Sequence, residues 1–335
     1  MSEKVLITGA SGFLGYHIIN AALEQGLNVY AAVRKNSEIE HLKELPIQYL
    51  YLDYDDVDDL KRQLSENKIA YIIHAAGITK AIRQETYNYI NATYTLNLAQ
   101  AAKNSGIGFK KFVFISSLAA VGPLATENGL ITEATAPNPV TAYGRSKLLA
   151  ENYLSGVAIP SVVLRPTAVY GPRDKNIFIL IKSVSKGLDP YMGNISQQLS
   201  FVHARDVADL AVAALFKENA VGIYNVTDGK SYNRYQFSDI IKKILKRKAF
   251  RFHIPMPLVR GLAYFLETTN GWLKKPSVLS REKLLELAAK NWICDIEKAR
   301  VELGYSPKYD LQSGLEDSIA WYSKNKWISV RPAKQ

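Results

Sequence analysis

One cysteine stands among 335 residues, at position 294. A single thiol excludes an internal disulfide framework and a thiolate metal cluster, so Cys294 reads as a small apolar core residue. Long apolar runs are missing too. None approaches the roughly 18 residues that span a bilayer, and the N-terminus opens on a strand pattern instead of a charged leader with a cleavage site. The chain therefore reads as cytoplasmic, with no integral membrane segment. Repeats, low-complexity tracts, zinc-ligand spacings and aromatic RNA-binding signatures are absent, and no metal site is expected. Apolar residues and positive charge are plentiful, with 47% hydrophobic content and a formal net charge of +11. The first supports a large core in one or two domains and excludes disorder. The second is dispersed. Its densest block, Lys242, Lys243, Lys246, Arg247 and Lys248, follows an apolar helix pattern and reads as a solvated face, so no nucleic-acid partner is expected.

Against that background, "VLITGASGFLGYHII" at residues 5–19 sets three glycines between a strand and a helix. The run 4–8 has the continuous apolar character of a buried strand, and 13–25 carries Phe13, Leu14, Ile18, Ile19 and Leu23 at helical spacing. A helix N-terminus leaves N–H groups unpaired and presents the positive end of its dipole, which suits a phosphate. Glycine permits the tight turn and lets a pyrophosphate approach the backbone. Gly9, Gly12 and Gly15 are thus the candidate dinucleotide turn.

Strand patterns at 28–33, 47–52, 70–75, 111–116 and 161–164 alternate with helical patterns near 55–66, 88–105 and 141–155. Such alternation predicts an α/β fold with a doubly wound parallel sheet, of Rossmann type, and ligands at the carboxyl ends of its strands. Residues 1–175 form the expected nucleotide domain, with 200–227 returning to it through strands at 201–203 and 221–226. Residues 176–199 and 228–330, broken by Pro190, Pro255, Pro257 and Pro276, are expected mainly to form a smaller, discontinuous substrate lobe.

The second strand ends in Val33 where an acid would read the ribose of NAD, and Arg34 and Lys35 follow. Arginine matches the additional phosphate of NADP, so NADP is expected in preference to NAD. Asp53 lies where a carboxylate meets the adenine amino group, and is equally placed to cap the next helix. In "VTAYGRSKLLAE", residues 140–151, Tyr143 and Lys147 are four apart and share a helix face. A tyrosine titrates near ~10, and a neighbouring ammonium favours its phenolate, making it a usable acid or base. Ser116 and Ser117 end the preceding apolar strand, where a hydroxyl meets a substrate carbonyl.

At this point the sequence resembles the extended short-chain dehydrogenase/reductase family, within the NAD-dependent epimerase/dehydratase superfamily. The carriers are "TGASGFLG" (8–15), "HAAG" (74–77), "INATYTLNLAQAA" (90–102), "SSLAAVGP" (116–123), "YGRSK" (143–147), "LRPTAVYGP" (164–172), "FVHARDVADLA" (201–211) and the tail from Cys294. The resemblance implies that Tyr143 is the proton donor or acceptor, Lys147 its electrostatic partner and ribose ligand, and Ser117 the polarising hydroxyl. Asn91 supports the site. Gly9, Ser11, Gly12, Phe13, Leu14, Gly15, Arg34, Asp53, Tyr54, Ala75, Ala76, Gly77, Pro166 and Val169 meet the cofactor, and a homodimer through helices 90–105 and 141–155 is possible in this family.

Departures narrow the substrate. Leu118 and Ala119 replace the acid pair of the dehydratases. Ala168 and Leu199-Ser200 stand where nucleotide-sugar epimerases carry diphosphate ligands, leaving Arg173, Lys175, Arg205 and Arg234 to compensate. The closer resemblance is to the hydroxysteroid dehydrogenase and dihydroflavonol reductase branch, which implies a small-molecule alcohol or ketone that is mostly apolar. An epimerase with tightly bound NAD and a non-catalytic NADP sensor are the alternatives. Val259, Leu262, Ala263, Phe265 and Leu266 are expected to form an apolar helix face that packs in the core, with a pocket lid or a membrane contact aided by Arg260, Lys274 and Lys275 as the competing reading.

Overall fold

A computed structural model describes residues 3–272 and 280–328. In chain order, β1 (Lys4–Thr8) leads to α1 (Phe13–Glu24), β2 (Asn28–Ala32), β3 (Gln48–Leu50), α2 (Val57–Asn67), β4 (Tyr71–His74) and α3 (Gln84–Asn88). A π-turn over Tyr89–Thr93 runs into α4 (Tyr94–Lys103), followed by β5 (Lys111–Ile115), α5 (Ala142–Ser155), β6 (Ser161–Pro166), β7 (Ala168–Tyr170), α6 (Phe178–Ser185) and β8 (Leu188–Met192). Then come β9 (Gln198–Leu199), β10 (Phe201–His203), α7 (Ala204–Leu215), β11 (Gly222–Val226), β12 (Tyr232–Asn233), α8 (Gln236–Leu245), β13 (Phe250–Ile254), α9 (Met256–Trp272), α10 (Arg281–Leu287) and α11 (Leu311–Lys324).

Seven strands form one parallel sheet in the order β11-β6-β5-β4-β1-β2-β3. The order reverses between β1 and β4, and the crevice at such a reversal is where a doubly wound sheet takes its ligand. Alternate residues feed two cores. Val5, Ile7, Ile73 and Val113 pack on the α1 and α7 side, whereas Leu6, Ile72, Phe112 and Phe114 pack against α2, α4 and α5. Covering both faces is what makes these strands apolar throughout. A third core joins α6, α8 and α11 through Ile181, Phe237, Ile241, Leu311, Leu315 and Tyr322.

Three expectations need correction. Of the two returning strands, only β11 enters the main sheet; residues 201–203 pair instead with β7. The tail does not stay in the lobe, because Ile296, Ala299, Leu303 and Tyr305 complete the core beneath α1 and α7. The expected apolar face of α9 is divided. Val259 and Ala263 are buried against Met192, Ile254 and Leu284, while Leu262 and Phe265 are 52% and 62% exposed. Lys274, Lys275 and Pro276 lie outside the described residues, and no described helix is long and apolar enough to cross a membrane. Cys294 is buried beside Leu118, Val121 and Ile131, as a core residue should be. In the basic block, Ile241 and Leu245 are buried and Lys242 reaches the fully buried Asp189 at 2.6 Å, with Arg251 Nε at 2.9 Å from the same oxygen. One lysine of that solvated face therefore neutralises an interior carboxylate.

The β1–α1 turn is tightly packed. A Cβ on Gly15 would stand 2.1 Å from Gly9 O, and Gly9, at φ +67°, faces Ala75 O at 2.6 Å from its own added Cβ. Both contacts involve main chain, which cannot swing aside. We therefore expect Gly15→Ala to lower the unfolding free energy by about 3 kcal/mol in urea titrations, as overpacking against rigid neighbours does, and to abolish dinucleotide binding.

Candidate active site

The helix following this turn starts at Gly12, whose position offers no side-chain cap. Its first N–H groups are therefore available to an oxyanion. Gly12, Phe13 and Leu14 stay at least partly exposed on that lip, with Ser11 half-buried beside them. An uncapped helix end and a glycine cradle too narrow for any Cβ fit a dinucleotide pyrophosphate.

Across the crevice, β1 and β4 are locked by a buried relay. Thr8 Oγ1 lies 2.7 Å from His74 Nδ1 and accepts from Ala76 N at 3.1 Å. His74 Nε2 lies 3.0 Å from Thr95 Oγ1, which donates to Asn91 O at 2.7 Å. Thr95 spends its proton on that carbonyl, so the network assigns the His74 proton to Nε2. Burial pushes the His74 pKa down to about 3, keeping the ring neutral. The relay fixes the 75–77 backbone, where Gly77 is exposed. A Cβ there would stand 3.0 Å from Asn91 Oδ1 and 3.5 Å from Lys147 Nζ.

Arg34, expected to meet the adenosine end of a dinucleotide, is exposed just past β2, in a turn closed by its own N–H to Ser37 Oγ at 3.1 Å. Asp53 does not cap α2. Its Oδ1 accepts from Asp55 N at 3.0 Å, and Asp56 takes the cap by accepting from Asp59 N at 2.9 Å. Tyr54 stacks on Tyr94 with ring centres 4.9 Å apart and hydrogen-bonds Thr8 through its hydroxyl, so its side chain buttresses the crevice wall.

The candidate reacting groups converge at the start of α5. Thr141 caps this helix by accepting from Gly144 N at 3.0 Å, which sets Tyr143 in the first turn facing Ser117. Gly144 packs under the serine loop, since a Cβ there would stand 2.3 Å from Ala119 O. Burial pushes the Tyr143 phenol up to about 12, and the Ser117 hydroxyl, hydrogen-bonded to it, pulls the other way. One turn on, Lys147 is 4% exposed; its Nζ donates to Ile115 O at 2.9 Å and sits 4.7 Å above the Phe114 ring. Desolvation pushes its pKa down to about 8, while Glu151 supports the charge. Asn91 lies in the π-turn, a helix irregularity common at functional sites. It accepts from Ile78 N at 2.8 Å and donates to Ile78 O at 3.0 Å and Ser146 Oγ at 2.9 Å. Asn91 thus braces the 77–78 strand exit against α5.

The two serines have different tasks. Ser116 turns away and donates to Glu151, which forms a buried fork with Arg165 at 2.5–3.2 Å. This triad ties the ends of β5 and β6 to α5, and residue patterns alone did not assign Glu151 or Arg165 a role. Ser117 faces a cavity of about 740 Å³ together with Tyr143, Pro166 and Ala168. Leu180, Met192, Leu199, Phe201 and Phe237 supply much of its far wall. Val169 is half-buried in β7, opposite Val202. Of the four cations expected to compensate for a missing diphosphate ligand, only Arg234 lines this cavity. Its Nη1 donates to Ile195 O at 2.7 Å and Gly193 O at 3.4 Å, and its Nη2 to Met192 O at 2.9 Å. Arg205 pairs with Asp317 at 3.1 Å, and Arg173 stacks on Tyr16 at 4.4 Å.

Comparison with known proteins identifies the family. The profile of the NAD dependent epimerase/dehydratase family matches residues 5–227. The chain is 24% identical to a ceramide reductase of Caulobacter vibrioides, over 97% of this chain and 96% of that one. It is 25% identical to a decarboxylating sterol-4-alpha-carboxylate 3-dehydrogenase of Dictyostelium discoideum, over 94% and 99%. Among solved structures, a UDP-glucuronic acid 4-epimerase from Bacillus cereus in complex with NAD superposes with a TM-score of 0.75 at 25% identity, covering 96% of this chain and 99% of that one. With an open pyrophosphate cradle, a tyrosine and a buried lysine on one helix face and a profile match across the whole sheet, the chain belongs to the NAD dependent epimerase/dehydratase family of NAD-dependent oxidoreductases and epimerases.

Proposed function

We propose that this protein interconverts a secondary alcohol and a ketone on a mostly apolar, lipid-like substrate. The observation carrying this reading is the cavity at Tyr143, whose far wall is rich in apolar side chains and whose buried arginine is committed to three main-chain carbonyls. A diphosphate held there would meet only the spare Nε–H of Arg234 and the exposed Lys80, since Lys283 pairs with Glu286 at 2.5 Å, which is little to offset the cost of desolvating it. The ceramide reductase and sterol dehydrogenase relatives support the same substrate class, and the Bacillus cereus epimerase supports the alternative, a sugar epimerisation without net redox change.

A bound nicotinamide supplies hydride exchange in this reading. The protein's own residues orient the substrate and move its proton. Ser117 Oγ and the Tyr143 hydroxyl hold the substrate oxygen from two sides. In reduction the phenol gives its proton to that oxygen; in oxidation the phenolate takes it. The Lys147 ammonium favours the phenolate and would help hold the nicotinamide ribose of a bound dinucleotide. Tyr143→Phe should lower turnover by on the order of 10²–10⁴-fold with little change in dinucleotide affinity, measured by steady-state kinetics and calorimetry on one preparation. Retained turnover would remove Tyr143 from the mechanism.

The pH dependence follows from the same pair. Alcohol oxidation needs the phenolate, so its kcat/KM should rise with pH while Lys147 stays charged, and ketone reduction should fall. Removing the ammonium in Lys147→Met should move the rising limb upward by about one pH unit or more, as read from paired pH–rate profiles. A limb that stays in place would show that Lys147 does not set the Tyr143 proton affinity.

We further propose NADP(H) as the preferred dinucleotide. Arg34 is exposed at the β2 end with no ion pair among the described residues, and buried Val33 precedes it. Arg34→Met should raise the ratio of the NADP+ to NAD+ dissociation constants by about tenfold or more. An unchanged ratio in calorimetric titrations would make Arg34 a plain surface charge.

A further inference from the structure

A second cleft, of about 930 Å³, opens beside the reaction cavity. It is bounded by α9 and α10 on one side and by Gln84, Tyr87 and Arg145 of α3 and α5 on the other. Tyr87, Ser280 and Glu282 line both spaces, so the two adjoin. The cleft is amphipathic. Ile82, Met256, Tyr264, Leu284 and Leu285 give it an apolar lining. Four arginines also reach it, and two are neutralised: Arg145 by Glu282 at 2.5 Å and Arg281 by Glu267 at 3.0 Å. Arg83 and Arg260 have no ion pair among the described residues.

A space that is greasy along its wall, carries two uncommitted guanidinium groups and shares residues with the reaction cavity matches an elongated amphiphile. We propose that this cleft holds the distal part of the substrate whose alcohol or ketone reaches Tyr143, and that this part is an apolar chain bearing an oxyanion, a carboxylate or a phosphate. The inference rests on the alcohol-ketone reading above and specifies its substrate class. Transfer of each methylene from water into such a cleft strengthens binding about threefold to fourfold, and an arginine engages an oxyanion through paired N–H donors.

Gly261 provides the test. It lines the cleft, and a Cβ built on it meets nothing within 4 Å, so a larger side chain there fills the cleft without disturbing α9. Replacing a helical glycine also favours the helix. The experiment titrates the protein calorimetrically, with reduced dinucleotide present, using straight-chain alkyl carboxylates and alkyl phosphates of roughly eight to sixteen carbons. It also measures kcat/KM on ketones of short and long chain. Affinity is expected to rise with chain length. Gly261→Phe should weaken the longest ligands about tenfold or more and lower the long-to-short ratio of kcat/KM correspondingly. Arg260→Met should erase the preference for a carboxylate over its methyl ester. Tighter binding of the phosphate series would indicate a phospholipid-like head, and of the carboxylate series an acid. Affinity independent of chain length, or unchanged in Gly261→Phe, overturns the inference. Turnover of short ketones without amphiphile binding leaves the alcohol-ketone reading standing and sinks the cleft. Binding sensitive to Gly261 without turnover of any ketone does the reverse.

Discussion

Lys147 carries its charge into the interior without a carboxylate of its own. Glu151, one turn further along α5, is committed to Arg165 and Ser116, and Lys147 Nζ is left to donate to Ile115 O beside the Phe114 ring. A buried ammonium with neutral partners is electrostatically unsaturated, and its field acts strongly on nearby groups because little water screens it. In the proposed mechanism Tyr143, at the preceding turn of the same helix, is the group on which it acts. On that reading the placement of α5 decides the chemistry, and the Glu151–Arg165 fork holds that placement by clamping α5 to the end of β6. Removing one partner of such a buried pair leaves an uncompensated charge and commonly costs about 3–5 kcal/mol.

The crevice around this helix is organised by contacts that leave little room for adjustment. The glycine turn admits no Cβ, the His74 relay fixes the strand exits on its opposite side, and Asn91 joins the 77–78 segment to α5. A dinucleotide entering this groove meets a helix end already free of side-chain caps, so binding requires little local reorganisation. On the substrate side the constraints change character. The walls belong largely to β8, β9, α6 and α8, which supply apolar side chains, and Arg234 among them spends three donors on main-chain carbonyls.

Much of this was legible in the chain. The β1–α1 turn, the Tyr143–Lys147 spacing and the apolar strands are local signals, and local chemistry specifies them. What escaped is what depends on partners distant in sequence. The strand character of 201–203 was readable, but its pairing with β7 instead of the main sheet follows from tertiary packing that a strand pattern does not encode. Ser116 and Ser117 are adjacent, and neighbouring side chains of an extended segment point to opposite sides, so one meets Glu151 and the other the cavity. Asp53 and Asp56 both suit a helix cap, and the choice between them lies in the turn geometry. For α9, periodicity revealed apolar residues but not that Val259 and Ala263 would be covered while Leu262 and Phe265 would not. Glu151 stood within the quoted motif, yet its partner Arg165 lies on a strand fourteen residues away, and only the fold brings them together.

The most direct test of the central claim is to follow nicotinamide absorbance while the purified protein, with NADP+ and then NAD+, is offered a lipid-like secondary alcohol and, separately, a UDP-sugar. The account predicts net cofactor reduction matching ketone formation on the apolar alcohol and no conversion of the sugar. Interconversion of UDP-sugar epimers with no net absorbance change, and silence on every apolar alcohol, would contradict it.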